Sequence, residues 1–133
     1  MATVGRSAVG TLGGLRVFVL EDEVLVLANL EDILEDLGCR VVGPALRLEQ
    51  AEEAFAEAAR ADAAILDVNI AGEPSLPLAE RLREAGVPVI FATGYGAAGV
   101  PAEWSGVPVM QKPYSRGDVA AALARACGRG VRT

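Results

Sequence analysis

Leu15-Arg16-Val17-Phe18-Val19-Leu20-Glu21-Asp22 decides how the rest of the chain is read. A short, almost wholly apolar run ends abruptly at two acids. A strand with one wet face alternates apolar and polar residues, whereas a strand buried on both faces of a parallel sheet is apolar throughout. The pattern recurs downstream. Ala63-Ala64-Ile65-Leu66 ends at Asp67, Val87-Pro88-Val89-Ile90-Phe91-Ala92 ends at Thr93, and Val107-Pro108-Val109-Met110-Gln111 ends at Lys112. Arg40-Val41-Val42-Gly43 reads as a further short strand closed by Gly43-Pro44.

Helical segments separate these runs. Residues 23–37 place Leu27, Leu30, Leu34 and Leu37 on one stripe, and Gly38 suits the left-handed position beyond a helix end. Residues 48–60 are rich in Ala and Glu and form a helix by propensity. Residues 77–85 form the next, stopped by Gly86. Ser115 caps a last helix reaching Cys127, with Asp118 in capping-box spacing. Gly94-Tyr95-Gly96-Ala97-Ala98-Gly99-Val100-Pro101 is a poor helix former, so a short or mobile fourth helix is expected there. Five β–α units with short connections define an α/β fold with a doubly wound, five-stranded parallel sheet.

The 133 residues suit one domain, read as a flexible leader over 1–14, a folded domain over 15–128 and a tail over 129–133. Hydrophobic residues make up 52% and aromatics 5%, so aliphatic side chains must fill the core. The net charge of −6 argues against a nucleic-acid surface. No apolar run approaches the ~20 residues of a membrane span, and the first residues lack the apolar stretch of a signal peptide. A cytoplasmic location is expected. Cys39 and Cys127 have neither metal nor redox spacing and read as small packing residues. The chain has no histidine, so any histidine chemistry must come from a partner.

In a doubly wound sheet, ligands bind at the carboxyl ends of the strands. Those ends carry Glu21, Asp22, Asp67, Thr93 and Lys112. Clustered carboxylates need a cation or take up protons, and an all-oxygen set suits a hard ion such as Mg²⁺. An ionised aspartate is a competent nucleophile toward phosphorus. A lysine ammonium and a threonine hydroxyl supply positive charge and a hydrogen bond to the transferred oxygens. Singly, such acids are most often helix caps or solvated loop residues; their convergence is the signal. Glu23 is read only as a first-turn acid that suits the helix dipole.

The motifs Val19-Leu20-Glu21-Asp22-Glu23, Ile65-Leu66-Asp67-Val68-Asn69, Ala92-Thr93-Gly94 and Gln111-Lys112-Pro113 together resemble the receiver domain of two-component response regulators, over residues 15–128. The resemblance implies a flavodoxin-like (βα)5 fold with strand order 2-1-3-4-5. It implies Asp67 as phosphoryl acceptor, Asp22 as direct Mg²⁺ ligand and Glu21 as its partner acting through water. Asn69 would offer a backbone carbonyl to the metal, Lys112 would pair with Asp67, and Thr93 would be the switch hydroxyl. The Lys112–Pro113 bond would be cis. The donor would be a sensor histidine kinase or a histidine phosphotransfer protein, and the output a relay, a phosphate sink or a protein target, with a homodimer left open. Phe91-Ala92-Thr93-Gly94-Tyr95 is similar to the FATGUY subgroup, whose members often stand alone.

Two departures stand out. Val109 occupies the place where most receivers carry Tyr or Phe, leaving Tyr95 as the candidate to take over part of that role. The proline usual after the acceptor is absent, and Ile70-Ala71-Gly72 stands there, so an unusually mobile loop is expected. Competing readings are an aspartate-nucleophile phosphatase of haloacid-dehalogenase type, which would need an Asp where Asn69 stands, a phosphorylation-inactive pseudo-receiver, and a nucleotide-binding module. The last rests on Gly94-x-Gly96-x-x-Gly99, discounted because Pro101 weakens the following helix and no acid ends the next strand. Trp104 and Val24-Leu25-Val26 are read as core, with partner docking reserved for the latter if exposed.

Overall fold

Each apolar run becomes a strand of one parallel sheet. The computed structural model describes residues 12–95 and 99–128. In chain order the elements are β1 (Arg16–Leu20), α1 (Val24–Asp36), β2 (Arg40–Ala45), α2 (Leu48–Glu53), α3 (Phe55–Ala58), β3 (Ala63–Asp67), β4 (Asn69–Ile70), β5 (Glu73–Pro74), α4 (Leu76–Glu84), β6 (Val89–Thr93), β7 (Val109–Gln111) and α5 (Arg116–Cys127). The sheet order is β2-β1-β3-β6-β7, all parallel, which is the expected 2-1-3-4-5 order of the five sheet strands.

Side chains alternate across a strand, and β1 shows how the sheet is buried on both sides. Val17 and Val19 join a core with α1 and α5 that includes Leu27, Leu30, Leu34 and Leu123. Phe18 and Leu20 join the opposite core with Ala51, Ala58, Leu78, Leu82 and Trp104. Trp104 packs edge-on against Phe91 at 5.1 Å between ring centroids, while the Arg83 guanidinium covers it at 3.7 Å. Leu12 is buried, and the Gly14 N–H donates to the Gly38 carbonyl. Most of the expected leader (residues 1–11) and the tail from 129 lie outside the described residues.

Helix ends follow local chemistry. Ser115 Oγ accepts from the Asp118 N–H and the Asp118 carboxylate accepts from the Ser115 N–H, the reciprocal capping box expected. Gly38 takes φ 84° just beyond α1. Both later sheet strands start directly after a proline: Pro88 and Pro108 lack an N–H, yet their carbonyls accept from Ala64 and Phe91 of the neighbouring strands.

Several expectations change. β2 does not stop at Gly43-Pro44 but continues to Ala45, with a register irregularity opposite Phe18 and Leu20. Gly43 takes φ 91° there, and a Cβ on it would stand 3.3 Å from the Phe18 ring. The expected helix over 48–60 is divided at Ala54, whose φ of −96° and ψ of 9° leave the α region. In the segment after Thr93, a short 3-10 turn spans Ala102–Trp104, and residues 96–98 lie outside the described residues. Trp104 is core, but Val24 and Leu25 are 63% and 84% exposed, because they lie on the outer side of the first turn of α1.

Candidate functional site

The carboxyl ends of β1, β3, β6 and β7 meet at one edge of the sheet. Glu21 and Asp67 are buried, Thr93 is buried, and Asp22 is half-buried. One carboxylate oxygen from each of Glu21, Asp22 and Asp67 lies within 4.8 Å of the others. Three like charges at that spacing repel unless cations intervene. Lys112 is one such cation. Its Nζ stands 2.6 Å from Asp67 Oδ2 and 2.8 Å from Glu21 Oε1. The Lys112 backbone N–H donates to the Thr93 carbonyl at 3.0 Å, and the Lys112–Pro113 bond is cis.

Every carboxylate is further fixed by a backbone N–H. Glu21 Oε2 accepts from Glu23 at 3.0 Å, which ties the acid to the start of α1. Asp67 Oδ1 accepts from Asn69 at 3.1 Å, and Asp22 Oδ2 accepts from Ala71 at 2.8 Å. Burial raises the Glu21 carboxyl above its ordinary range, although its bonds from Lys112 and the Glu23 N–H pull the other way. Burial alone would lower the Lys112 ammonium, but its bonds to Asp67 and Glu21 outweigh that and hold it firmly protonated. All-oxygen donors, converging and partly desolvated, fit a hard divalent cation.

The loop after Asp67 carries regular structure. β4 and β5 form a small antiparallel hairpin, Asn69 opposite Pro74 and Ile70 opposite Glu73. Its two turn residues, Ala71 and Gly72, have φ of 52° and 88°. Both positive values suit a two-residue hairpin turn whose twist matches its strands. The Asn69 side-chain carbonyl accepts from the Gly72 N–H at 2.9 Å, so that side chain shapes the turn.

Thr93 Oγ1 accepts from the Tyr95 N–H at 3.1 Å. A Cβ on Gly99 would stand 2.9 Å from the same oxygen, so only glycine lets the returning chain lie against the Thr93 hydroxyl. The Tyr95 ring is 80% exposed. Val109 is half-buried, paired in register with Phe91.

Two residues of this region were not singled out by sequence. Ser75 is fully buried, and its Oγ donates to the Asp67 carbonyl at 2.6 Å, with the Val68 carbonyl at 3.2 Å. A serine before α4 signals a helix cap, but here the hydroxyl turns back to the acceptor strand, and no side-chain cap bond forms. Tyr114 is buried beside Lys112, and its hydroxyl has no hydrogen-bond partner.

A doubly wound parallel sheet with this acid–lysine edge has the architecture of a receiver domain, and the chain belongs to the response regulator receiver domain family, whose profile matches residues 17–124. Among its relatives is the phyllosphere-induced regulator PhyR of Methylorubrum extorquens, 29% identical over 113 residues; the match covers 83% of this chain and 42% of that protein. The chain therefore spans less than half the length of that relative. The solution structure of SdrG from Sphingomonas melonis Fr1 is 39% identical, with a TM-score of 0.73 over 85% of this chain and 96% of that one. The crystal structure of PhyR from Brucella abortus shares the fold at a TM-score of 0.77, with 23% identity, over 92% of this chain and 51% of that one.

Proposed function

We propose that Asp67 accepts a phosphoryl group from a phosphohistidine partner, and that the domain signals by the change this causes. The observation that supports this most is the single ammonium of Lys112, held between Asp67 and Glu21 at the sheet edge. Glu21, Asp22 and Asp67, with the Asn69 carbonyl, would hold a magnesium ion, which when bound supplies charge neutralisation for phosphoryl oxygens.

The chain's own residues account for the rest. An Asp67 carboxylate oxygen forms the new bond to phosphorus while the donor's P–N bond breaks. The electron pair stays on the imidazole nitrogen, which gains a proton on the donor's side. Lys112 follows the incoming negative charge, and the Thr93 hydroxyl, which already accepts from Tyr95, has its proton free to donate to a phosphoryl oxygen. These 133 residues hold no histidine, so the phosphohistidine lies outside them, on a sensor histidine kinase or a histidine phosphotransfer protein. Exposed Val24 and Leu25, beside the pocket, offer such a partner an apolar face. A related SdrG structure, 40% identical, is of a BeF3-activated conformation, and trifluoroberyllate on a carboxylate imitates an acyl phosphate. The phosphorylated domain then relays the group, drains it from a kinase or binds a protein target in the cytoplasm. Its chemistry is limited to its own phosphorylation and dephosphorylation.

The test is incubation with acetyl phosphate and magnesium, read by intact mass. One added phosphoryl group, lost in Asp67→Asn and without magnesium, supports the reading. Absence of an adduct from acetyl phosphate and from phosphorylated kinase alike leaves a pseudo-receiver.

A further inference from the structure

The Thr93 hydroxyl is fixed by two contacts close to it in the chain. Its oxygen accepts from the Tyr95 N–H at 3.1 Å, while the Thr93 carbonyl accepts from the Lys112 N–H at 3.0 Å. Among the described residues, no acceptor takes its hydroxyl proton. A further restraint is steric. Gly99 returns to the same buried side chain from six residues on, and a Cβ there would stand 2.9 Å from Thr93 Oγ1, 3.3 Å from Tyr95 Cβ and 3.7 Å from Thr93 Cβ. The shortest of these forces a neighbour to move. The φ of Gly99 lies outside the left-handed region, so its conformation does not call for glycine; the space does. Gly94, directly after Thr93, is different, since a Cβ on it would meet nothing within 4 Å.

We propose that Gly99 is a positioning residue for phosphoryl binding. Lacking a side chain, it lets the chain close against Thr93 and hold Oγ1 to the Tyr95 N–H, so that the hydroxyl proton is left for a phosphoryl oxygen. Gly99→Ala must displace something. The Thr93 backbone is tied to Lys112, so the clash is relieved by turning the Thr93 side chain or by lifting the backbone at position 99. Either movement frees the hydroxyl from the orientation it has here. Position 99 therefore acts through Thr93 and makes no contact with Glu21, Asp22 or Asp67. The inference rests on Asp67 as the acceptor and Thr93 as the hydroxyl that meets its phosphoryl group.

The experiment uses the 133-residue chain, with beryllofluoride and magnesium as the phosphoryl mimic. Gly99→Ala is expected to bind beryllofluoride about tenfold more weakly, the scale of one hydrogen bond to a charged acceptor, while its affinity for magnesium alone stays that of the wild type. Thr93→Ala should show a similar loss. Thr93→Ala/Gly99→Ala should lose no more than Thr93→Ala, because both changes remove the same interaction. A second measurement needs no variant: in the wild type, nuclear Overhauser contacts should join the Gly99 α protons to the Thr93 side chain, and the signals of both should shift on beryllofluoride addition. Unchanged or tighter binding in Gly99→Ala, a parallel loss of magnesium affinity, additive losses in the double variant, or Gly99 signals indifferent to beryllofluoride would each overturn the proposal. If the wild type binds no beryllofluoride, or Asp67→Asn or Thr93→Ala binds it equally well, the reading of the site falls first and this inference falls with it.

Discussion

The Lys112 ammonium stands 2.6 Å from Asp67 Oδ2, which joins the ends of β3 and β7 through charge. Glu21 Oε1, at 2.8 Å on the same ammonium, brings in the end of β1. One side chain therefore bridges two buried acids from distant parts of the sequence.

Removing that cation leaves both acids uncompensated. Lys112→Met should lose about 3 kcal/mol of stability at neutral pH, since breaking one side of a buried pair costs about 3–5 kcal/mol and this lysine is partly exposed. Without Lys112 the Glu21 carboxyl, already raised by burial above its ordinary 4.5, rises further. An acid with a raised folded value contributes stability below its unfolded value and loses it as pH rises. The deficit should therefore grow from acid to neutral pH in urea titrations, and should shrink when magnesium is added.

Magnesium itself should stabilise the wild type. A ligand at 100 times its dissociation constant adds about 2.7 kcal/mol to the folded state. Thermal unfolding with magnesium or with chelator measures the gain, and Asp22→Asn should reduce it. An equal shift from sodium at matched ionic strength would attribute the effect to screening instead.

Ala71 holds φ 52° while its N–H binds Asp22. Glycine adopts that conformation without a steric cost, although it adds freedom to the unfolded chain. Ala71→Gly should therefore stabilise the protein by about 0.5–1 kcal/mol with the Asp22 contact kept. A loss of stability in chemical denaturation would show that the turn is not strained.

Tyr114 provides a prediction at the alkaline end. Burial pushes its hydroxyl from 10.0 up to about 12, with the Glu21 charge adding to the effect. A raised folded value means that its contribution to stability is complete below pH 10 and is lost as pH rises through about 12. Ultraviolet titration should show one tyrosine ionising late, together with alkaline unfolding, and Tyr114→Phe should remove that late step.

Much of this was legible in sequence because it is local. The almost wholly apolar runs of β1 and β3 required burial on both faces, the leucine stripe of α1 matched a helical period, and Ser115 with Asp118 wrote its own cap. The convergence of Glu21, Asp22, Asp67, Thr93 and Lys112 followed from the topology, since each ends a parallel strand. What was hidden depends on tertiary contact. The continuation of β2 through Gly43-Pro44 follows from a register irregularity against β1. The hairpin after Asp67 is held partly by Asp22, 49 residues from its partner Ala71. Ser75 had the sequence signature of a helix cap, and only packing turns it toward the Asp67 carbonyl. Glu21 was expected to act through water beside a metal, and its direct bond to Lys112 requires the actual separation of β1 and β7.

Three carboxylates share the pocket, so the most direct measurement is where the phosphoryl group sits. After reaction with a phosphorylated donor and magnesium, borohydride reduces an aspartyl phosphate to homoserine, which peptide sequencing by mass spectrometry locates. Homoserine at position 67 alone, abolished in Asp67→Asn, is the expected result. Reduction at Asp22, modification elsewhere in the chain, or a phosphoryl group that persists in Asp67→Asn would contradict it.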